Sequence, residues 1–319
     1  MSKITERIER QLGVPGLVQL LTERITPTDL QSLLLEVYRE RARRRKPFDV
    51  LADYQSNRFV RPASLSPARL HEWERVVFSQ LAPEFDLLVL SPLCPLGTNS
   101  VVAKVDQNWA VSTIRNSEVV SDSTNVLALE CALRRRQLLR EQLKSAAAVH
   151  LAASHRLVRG QHYHDPKLLS HFSAVALCSA GRDVRSLQFE LRSLALHARF
   201  YVRALRAFLG SELPLRLSAS DFSPRSHEPI VTSQLIEPVR EEMHIEGVFD
   251  SERTSGRGYY AGLCFHLHAK APSGRWLELV DGGSVDWTQK LLSDAKERLV
   301  ISGIGSERVC TEFSPTDDA

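Results

Sequence analysis

Residues 146–159 read AAAVHLAASHRLVR, residues 160–172 read GQHYHDPKLLSHF and residues 173–181 read SAVALCSAG. Two apolar runs of strand length flank one polar connection, which is the pattern of an antiparallel strand pair. Upstream, VLALECALRRRQLLREQL (126–143) carries a strong helical repeat. Downstream, a long helix over about 186–209 leads to the strand-like LPLRLSAS (213–220) and a helix near SQLIEPVREEM (233–243). GYYAGLCFHLHA (258–269), WLELVDGG (276–283), a helix WTQKLLSDAKE (287–297) and RLVISGIGSERVC (298–310) complete the series. Strands outnumber helices in places and neighbour one another through short turns. The reading is therefore an α+β fold, an antiparallel sheet flanked by helices, rather than a doubly wound parallel sheet.

Before this region the texture differs. ITERIERQLG (4–13), LVQLLTERI (17–25) and LQSLLLEVYRERARRR (30–45) all have helical periodicity, and Thr26-Pro27-Thr28-Asp29 is a capped helix start. Residues 1–58 are expected to form a small N-terminal helical domain, 59–311 the main core and 312–319 a polar tail. Ser66-Pro67 opens a helix, LHEWERVVFSQLA (70–82), which feeds the apolar run FDLLVLSPL (85–93).

The 319 residues are 43% hydrophobic and 25% charged, enough for one substantial core and incompatible with a disordered tail. With 41 basic and 38 acidic residues, the net charge of +3 is too balanced to indicate nucleic acid by itself. RERARRRK (39–46) and RRRQLLR (134–140) are local basic clusters, read as solvated helix faces or as phosphate contacts, so nucleic acid stays open as a partner. The five cysteines form no CxxC pair, which suggests buried thiols rather than disulfides or a cysteine zinc site. Every apolar run is broken well before the roughly 18 to 20 residues that span a bilayer, and MSKITERIERQ lacks a signal core. A cytoplasmic protein with no membrane partner is expected.

The order of these segments resembles the catalytic core of class II aminoacyl-tRNA synthetases, over roughly residues 60–311, and the C-terminal third is similar to the histidyl branch. FDLLVLSPL, closing on Pro92, resembles motif 1, which implies a homodimer. VHLAASHRLVRGQ (149–161) with HFSAVALCSAG (171–181) resembles motif 2, with Arg156 matching the arginine that meets the α-phosphate. ISGIGSERV (301–309) resembles motif 3, with Arg308 in the γ-phosphate position and Glu307 beside it in the nucleotide site. GYYAGLCF and DGGSVDW resemble the branch's Tyr-Tyr segment and its Gly-Gly-x-x-Asp turn. The resemblance implies ATP with magnesium as cofactor, a homodimer, and a pocket for a small amino acid or carboxylate formed by Asp122, Thr124, Tyr259, Tyr260 and Cys178. Arg257 would bring positive charge to the reacting carboxylate. Adenylation places negative charge at both ends of a triphosphate, and fixed guanidinium groups suit that demand.

The sequence departs from the family at several points. Val158 stands where a glutamate holds adenine, Ser255 where a catalytic arginine precedes the tyrosines, with Arg253 and Arg257 two positions to either side. Cys178 and Ala174 replace an acidic residue and a glutamine that meet the histidine substrate, so histidine is not the expected ligand. After Cys310 only TEFSPTDDA remains where histidyl-tRNA synthetase continues into an anticodon-binding domain, so ordinary tRNA charging is not expected. The chain is similar in build to the regulatory subunit of ATP phosphoribosyltransferase, a paralogue that controls a protein partner. Two functions follow: an ATP-dependent amino-acid-activating ligase making an adenylate for a non-standard acceptor, or a catalytically silent ligand-sensing or scaffolding subunit. Whether the chain is an enzyme is left open between them.

Two histidine groups stand apart. His162, His164 and Asp165 in GQHYHD read as an exposed loop, or as a metal site lacking further ligands. His266 and His268 share one strand face, where they line a pocket or sit in the sheet. GxSxG, GxxxxGK[ST] and GxGxxG are absent, which argues against hydrolase and phosphate-loop chemistry.

Overall fold

The computed structural model describes residues 2–161 and 170–313, so the His162, His164 and Asp165 group lies outside the described residues. Its ten strands are β1 Phe85–Leu87, β2 Leu93–Pro95, β3 Ser117–Val119, β4 Val149–Val158, β5 His171–Arg182, β6 Leu215–Asp221, β7 Glu246–Phe249, β8 Leu263–Lys270, β9 Trp276–Val285 and β10 Glu297–Gly305. Eight of them form one sheet in the order β1-β4-β5-β10-β9-β8-β6-β7, while β2 and β3 pair separately. The inner pairings are antiparallel, and β1 and β7 join the edges in parallel. The expected antiparallel sheet with flanking helices is thus the observed architecture.

Helices α1 Lys3–Leu12, α2 Leu17–Gln19, α3 Pro27–Arg43 and α4 Pro47–Ser56 precede the sheet. Thr26 caps α3 by accepting from the Asp29 amide at 3.2 Å, as its sequence foretells. No side chain of α3 is buried, and apolar Val37, Tyr38, Phe48 and Leu51 are exposed on α3 and α4. Within the basic run 39–46, Arg39 pairs with Glu36, Arg43 with Glu40 and Arg45 with Asp53. Arg58 joins this region to the sheet, donating to the carbonyls of Gln161 (2.8 Å) and Gly160 (2.7 Å) and to Ser170 Oγ (2.7 Å).

The remaining helices are α5 Pro67–Ser79, α6 Ser123–Glu141, α7 Gln188–Leu209, α8 Glu228–Val231, α9 Glu237–Met243, α10 Trp287–Leu292 and α11 Ser306–Glu312. Strand alternation sends successive side chains to opposite faces, so the sheet carries two cores. On the back, α5, α7 and α11 cover Ala152, Val175, Leu177, Val300 and Ile304. On the front, α6 and α10 cover Leu151, Ala153, Ala176, Cys178 and Ile301. All five cysteines are free and buried. No helix among the described residues is long and apolar enough to cross a membrane.

Two segments differ from expectation. FDLLVLSPL forms strand only over Phe85–Leu87, extended by one bond from the Leu88 amide to the Ala152 carbonyl at 2.8 Å. DGGSV (281–285) is continuous strand in β9 rather than a turn, and Asp286 is then the N-cap residue of α10. Glycines serve there because neighbours press on both faces: a Cβ on Gly282 would stand 2.6 Å from Ser302 Cβ, and one on Gly283 would stand 2.6 Å from Tyr260 Cδ1.

Candidate functional site

A cavity of about 380 Å³ opens on the front face above β5 and β10. Its floor is Ile301 with Ala174, Ala176, Gly303 and Gly305, the last four small enough to keep the sheet backbone accessible. Side chains added at Gly303 and Gly305 would meet nothing closer than 3.7 and 3.8 Å, so these glycines hold space open over the floor. The walls come from the first turn of α6 and from Arg159, Tyr259, Tyr260 and Asp281.

Asp122 is the N-cap of α6. Its Oδ1 accepts from Thr124 N (3.0 Å) and Thr124 Oγ1 (2.8 Å), and its Oδ2 lies 3.0 Å from Arg159 Nη2. Arg159 also donates to the Ser121 carbonyl at 3.0 Å and stacks over Phe172 at 5.0 Å. Behind this wall, buried Glu118 accepts from Asn99 N (2.8 Å), Asn99 Nδ2 (2.7 Å) and Gln107 Nε2 (2.7 Å). Asn99 Oδ1 in turn accepts from Ser121 Oγ (2.6 Å) and Asn125 Nδ2 (2.8 Å). Such a satisfied buried network holds the α6 entry in one conformation.

On the opposite wall, Tyr259 and Tyr260 meet edge to face at 5.0 Å, and Tyr259 meets Trp287 likewise at 5.7 Å. Burial pushes both phenols well above the usual tyrosine range, so they stay protonated donors. Asp281 lies 2.8 Å from Arg253 Nη2 and 3.3 Å from His266 Nε2. Burial would raise its carboxyl, but the His266 hydrogen bond and the Arg253 charge prevail and hold it below the ordinary range. Replacing Gly283 with alanine is expected to displace Tyr260 from this wall, because the new methyl meets its ring, Cys264 Cβ at 2.7 Å and the Leu263 carbonyl at 2.8 Å. Denaturant unfolding should register a loss of about 1–3 kcal/mol; an unchanged midpoint would refute the packing argument.

Asp122, Thr124, Tyr259 and Tyr260 are therefore brought together at one cavity. Cys178 lies beneath it, fully buried, its thiol donating to the Thr124 carbonyl at 3.7 Å. Arg257 is exposed, its guanidinium 4.9 Å over the Phe222 ring, and it does not line the cavity. The buried Arg253, at the flank of the lost arginine position, is the one that meets a wall residue.

Arg156 does not reach the cavity. It pairs across β4 and β5 with Ser173, on the back face, where its guanidinium donates to Ser173 Oγ (3.3 Å) and His171 Nδ1 (3.0 Å from Nε). Glu307 lies 3.0 Å from Arg156 Nη1, so this glutamate too is engaged on the back. The reason is parity: Leu151, Ala153 and Leu157 face the front, and Arg156 falls on the other set with Ala152 and Ser154. Arg308 is exposed beside Gly305, at the cavity's edge rather than in its lining. Sequence reading missed Arg159 and Asp281 as wall residues. The alternation that excludes Arg156 was the available signal for Arg159, whereas Asp281 was visible only as the start of a supposed turn.

The fold of this chain is that of a class II aminoacyl-tRNA synthetase catalytic core. Among solved structures it is similar to apo histidyl-tRNA synthetase of S. aureus, with a TM-score of 0.56, 14% identity, and coverage of 78% of this chain and 68% of the other. An ATP phosphoribosyltransferase regulatory subunit/histidyl-tRNA synthetase of Bacillus halodurans matches with a TM-score of 0.55 and 12% identity, covering 81% of this chain and 84% of that one. The RNA binding domain of threonyl-tRNA synthetase of Cryptosporidium parvum matches with a TM-score of 0.54 and 10% identity, covering 77% and 64%. No protein-family profile and no curated protein matches the chain.

Proposed function

We propose that the front cavity binds a small amino acid and that the chain acts as a ligand-sensing, non-charging relative of the synthetases. Asp122 and Asp281 offer carboxylates to an ammonium group, and Tyr259 and Tyr260 offer apolar walls with phenol donors. Arg159 and the first amides of α6 favour a carboxylate end. A volume near 380 Å³ suits such a ligand.

The observation that carries the silent reading is the placement of Arg156. Holding a triphosphate at both ends takes two guanidinium groups on one face. Arg156 is committed to Glu307 behind the sheet; on the front, Arg159 lines the cavity but is tied to Asp122 at 3.0 Å, and Arg308 stands at the cavity's edge. Neither arginine that the resemblance assigns to the phosphates lines the cavity, so the assigned pair does not fit ATP with magnesium there. Ser255, where the resemblance places a catalytic arginine, points the same way. The similarity to the Bacillus halodurans ATP phosphoribosyltransferase regulatory subunit/histidyl-tRNA synthetase makes a protein partner part of the same reading. Residues 1–58, with their exposed apolar side chains, are proposed as a separate helical domain available to such a partner or to a second copy in a homodimer.

Calorimetric titration with each amino acid, alone and with ATP and magnesium, tests this together with pyrophosphate exchange. Binding of at least one amino acid, weakened about tenfold or more by Asp122→Ala, is expected, with no exchange above background. Exchange with any amino acid would restore the ligase reading, and absence of all binding would remove the ligand pocket.

A further inference from the structure

His266 and His268 on β8 and Glu278 on β9 form a second cluster on the front face, separated from the cavity by Asp281. One donor atom from each of the three lies within 4.8 Å of the others. His266 Nδ1 is already 3.5 Å from Glu278 Oε2, close to the roughly 3.3 Å edge of a tetrahedral zinc site with bonds near 2.0–2.1 Å. A register shift between Leu267 and His268 sets His268 directly opposite Glu278 across the strand pair.

The hydrogen-bonding pattern points to a cation. His266 Nε2 faces Asp281 at 3.3 Å, and a ring that donates there leaves a lone pair on Nδ1. That lone pair faces a carboxylate oxygen, an acceptor against an acceptor. His268 Nδ1 is buried and has no hydrogen-bond partner among the described residues, while its ring also meets the backbone of Arg216. A metal ion accepts all three lone pairs at once. The carboxylate on the far nitrogen of His266 is the arrangement that orients metal-ligating histidines, and Arg253 holds that carboxylate in place at 2.8 Å. Glu278 is 47% exposed in its side chain, which gives an ion a path from solvent and leaves a coordination position for water.

We propose that His266, His268 and Glu278 bind one divalent transition-metal ion, with zinc as the best match to two imidazoles and a carboxylate. The site sits at the register shift between two paired strands and is independent of the amino-acid reading. Through His266 it abuts Asp281, a wall residue of the cavity, so the ion fixes the tautomer of the ring that Asp281 accepts from.

Zinc chloride titrated calorimetrically into the full chain, carrying no histidine tag, tests the proposal. Cobalt(II) absorption reports the coordination geometry. One ion per chain with a dissociation constant of about 10 μM or tighter is expected. His268→Gln should weaken binding about 100-fold or more, and Asp281→Asn about 10- to 100-fold. Glu278 is exposed, so Glu278→Gln tests the same site without risk to the fold and should also weaken binding at least tenfold. The proposal is overturned by a dissociation constant above about 1 mM. It is equally overturned by zinc binding that survives His268→Gln and Glu278→Gln but is lost in a His162→Ala/His164→Ala variant.

Discussion

Glu297→Ala is expected to lower the unfolding free energy by about 3–5 kcal/mol, because it strands a charge that has no route to water. Glu297 and Arg135 are both fully buried and form a bidentate pair, Nε to Oε2 and Nη2 to Oε1, each at 2.8 Å. Arg135 also donates to the carbonyls of Ser145 (3.0 Å) and Ala147. The pair ties α6 to the first residue of β10. Because Asp122 and Thr124 sit at the start of the same helix, loosening it should blunt ligand binding at the cavity as well. Denaturant unfolding at neutral pH measures the first effect and titration of the bound amino acid the second. Replacing both partners with apolar residues of similar volume should recover much of the loss. A single-variant loss below about 1 kcal/mol would show that the pair is not isolated from solvent.

A steep acid sensitivity is expected from His197. This ring is fully buried on α7, its Nε2 2.8 Å from Ser179 Oγ and its Nδ1 2.8 Å from Ser302 Oγ. The chain of contacts continues from Ser179 to His150 Nδ1 (2.7 Å) and from Ser302 to the Tyr201 hydroxyl (3.2 Å). Burial, with a smaller contribution from His150, depresses the imidazole to about 3. Below about pH 6.5 the unfolded chain takes up a proton at this histidine that the folded chain refuses. Stability associated with the neutral ring is therefore complete above that pH and is lost as pH falls toward about 3. The full slope is about 1.4 kcal/mol per pH unit. His197→Gln should remove it, so between pH 6.5 and 5 the parent should lose about 2 kcal/mol more than the variant. Parallel stability–pH curves for the two proteins would count against a neutral buried ring.

His197 and the Arg135 pair share a lesson about what local sequence conveys. Arg135 sits in RRRQLLR, where three successive arginines read as one solvated face or one phosphate patch. In the fold they part: Arg134 pairs with Asp86 and Glu130, Arg136 is exposed, and Arg135 is buried against a residue 162 positions away. No local pattern announces a partner at that distance. His197 likewise occupies a helix whose apolar stripe was legible, yet its two serine partners come from β5 and β10.

The sequence by itself determined the fold and much of the cavity wall. Strand-length apolar runs joined by short turns dictate an antiparallel sheet, and the order of the α6 cap, the Tyr-Tyr segment and the glycine-rich β10 brings Asp122, Thr124, Tyr259 and Tyr260 to one place. Tertiary structure alone decided which arginines belong to that place. A guanidinium's role depends on the face of the strand it leaves from and on the acid it meets there. Those are set by register and by contacts across the sheet, which put Arg156 with Glu307 on the back and Arg159 with Asp122 on the front.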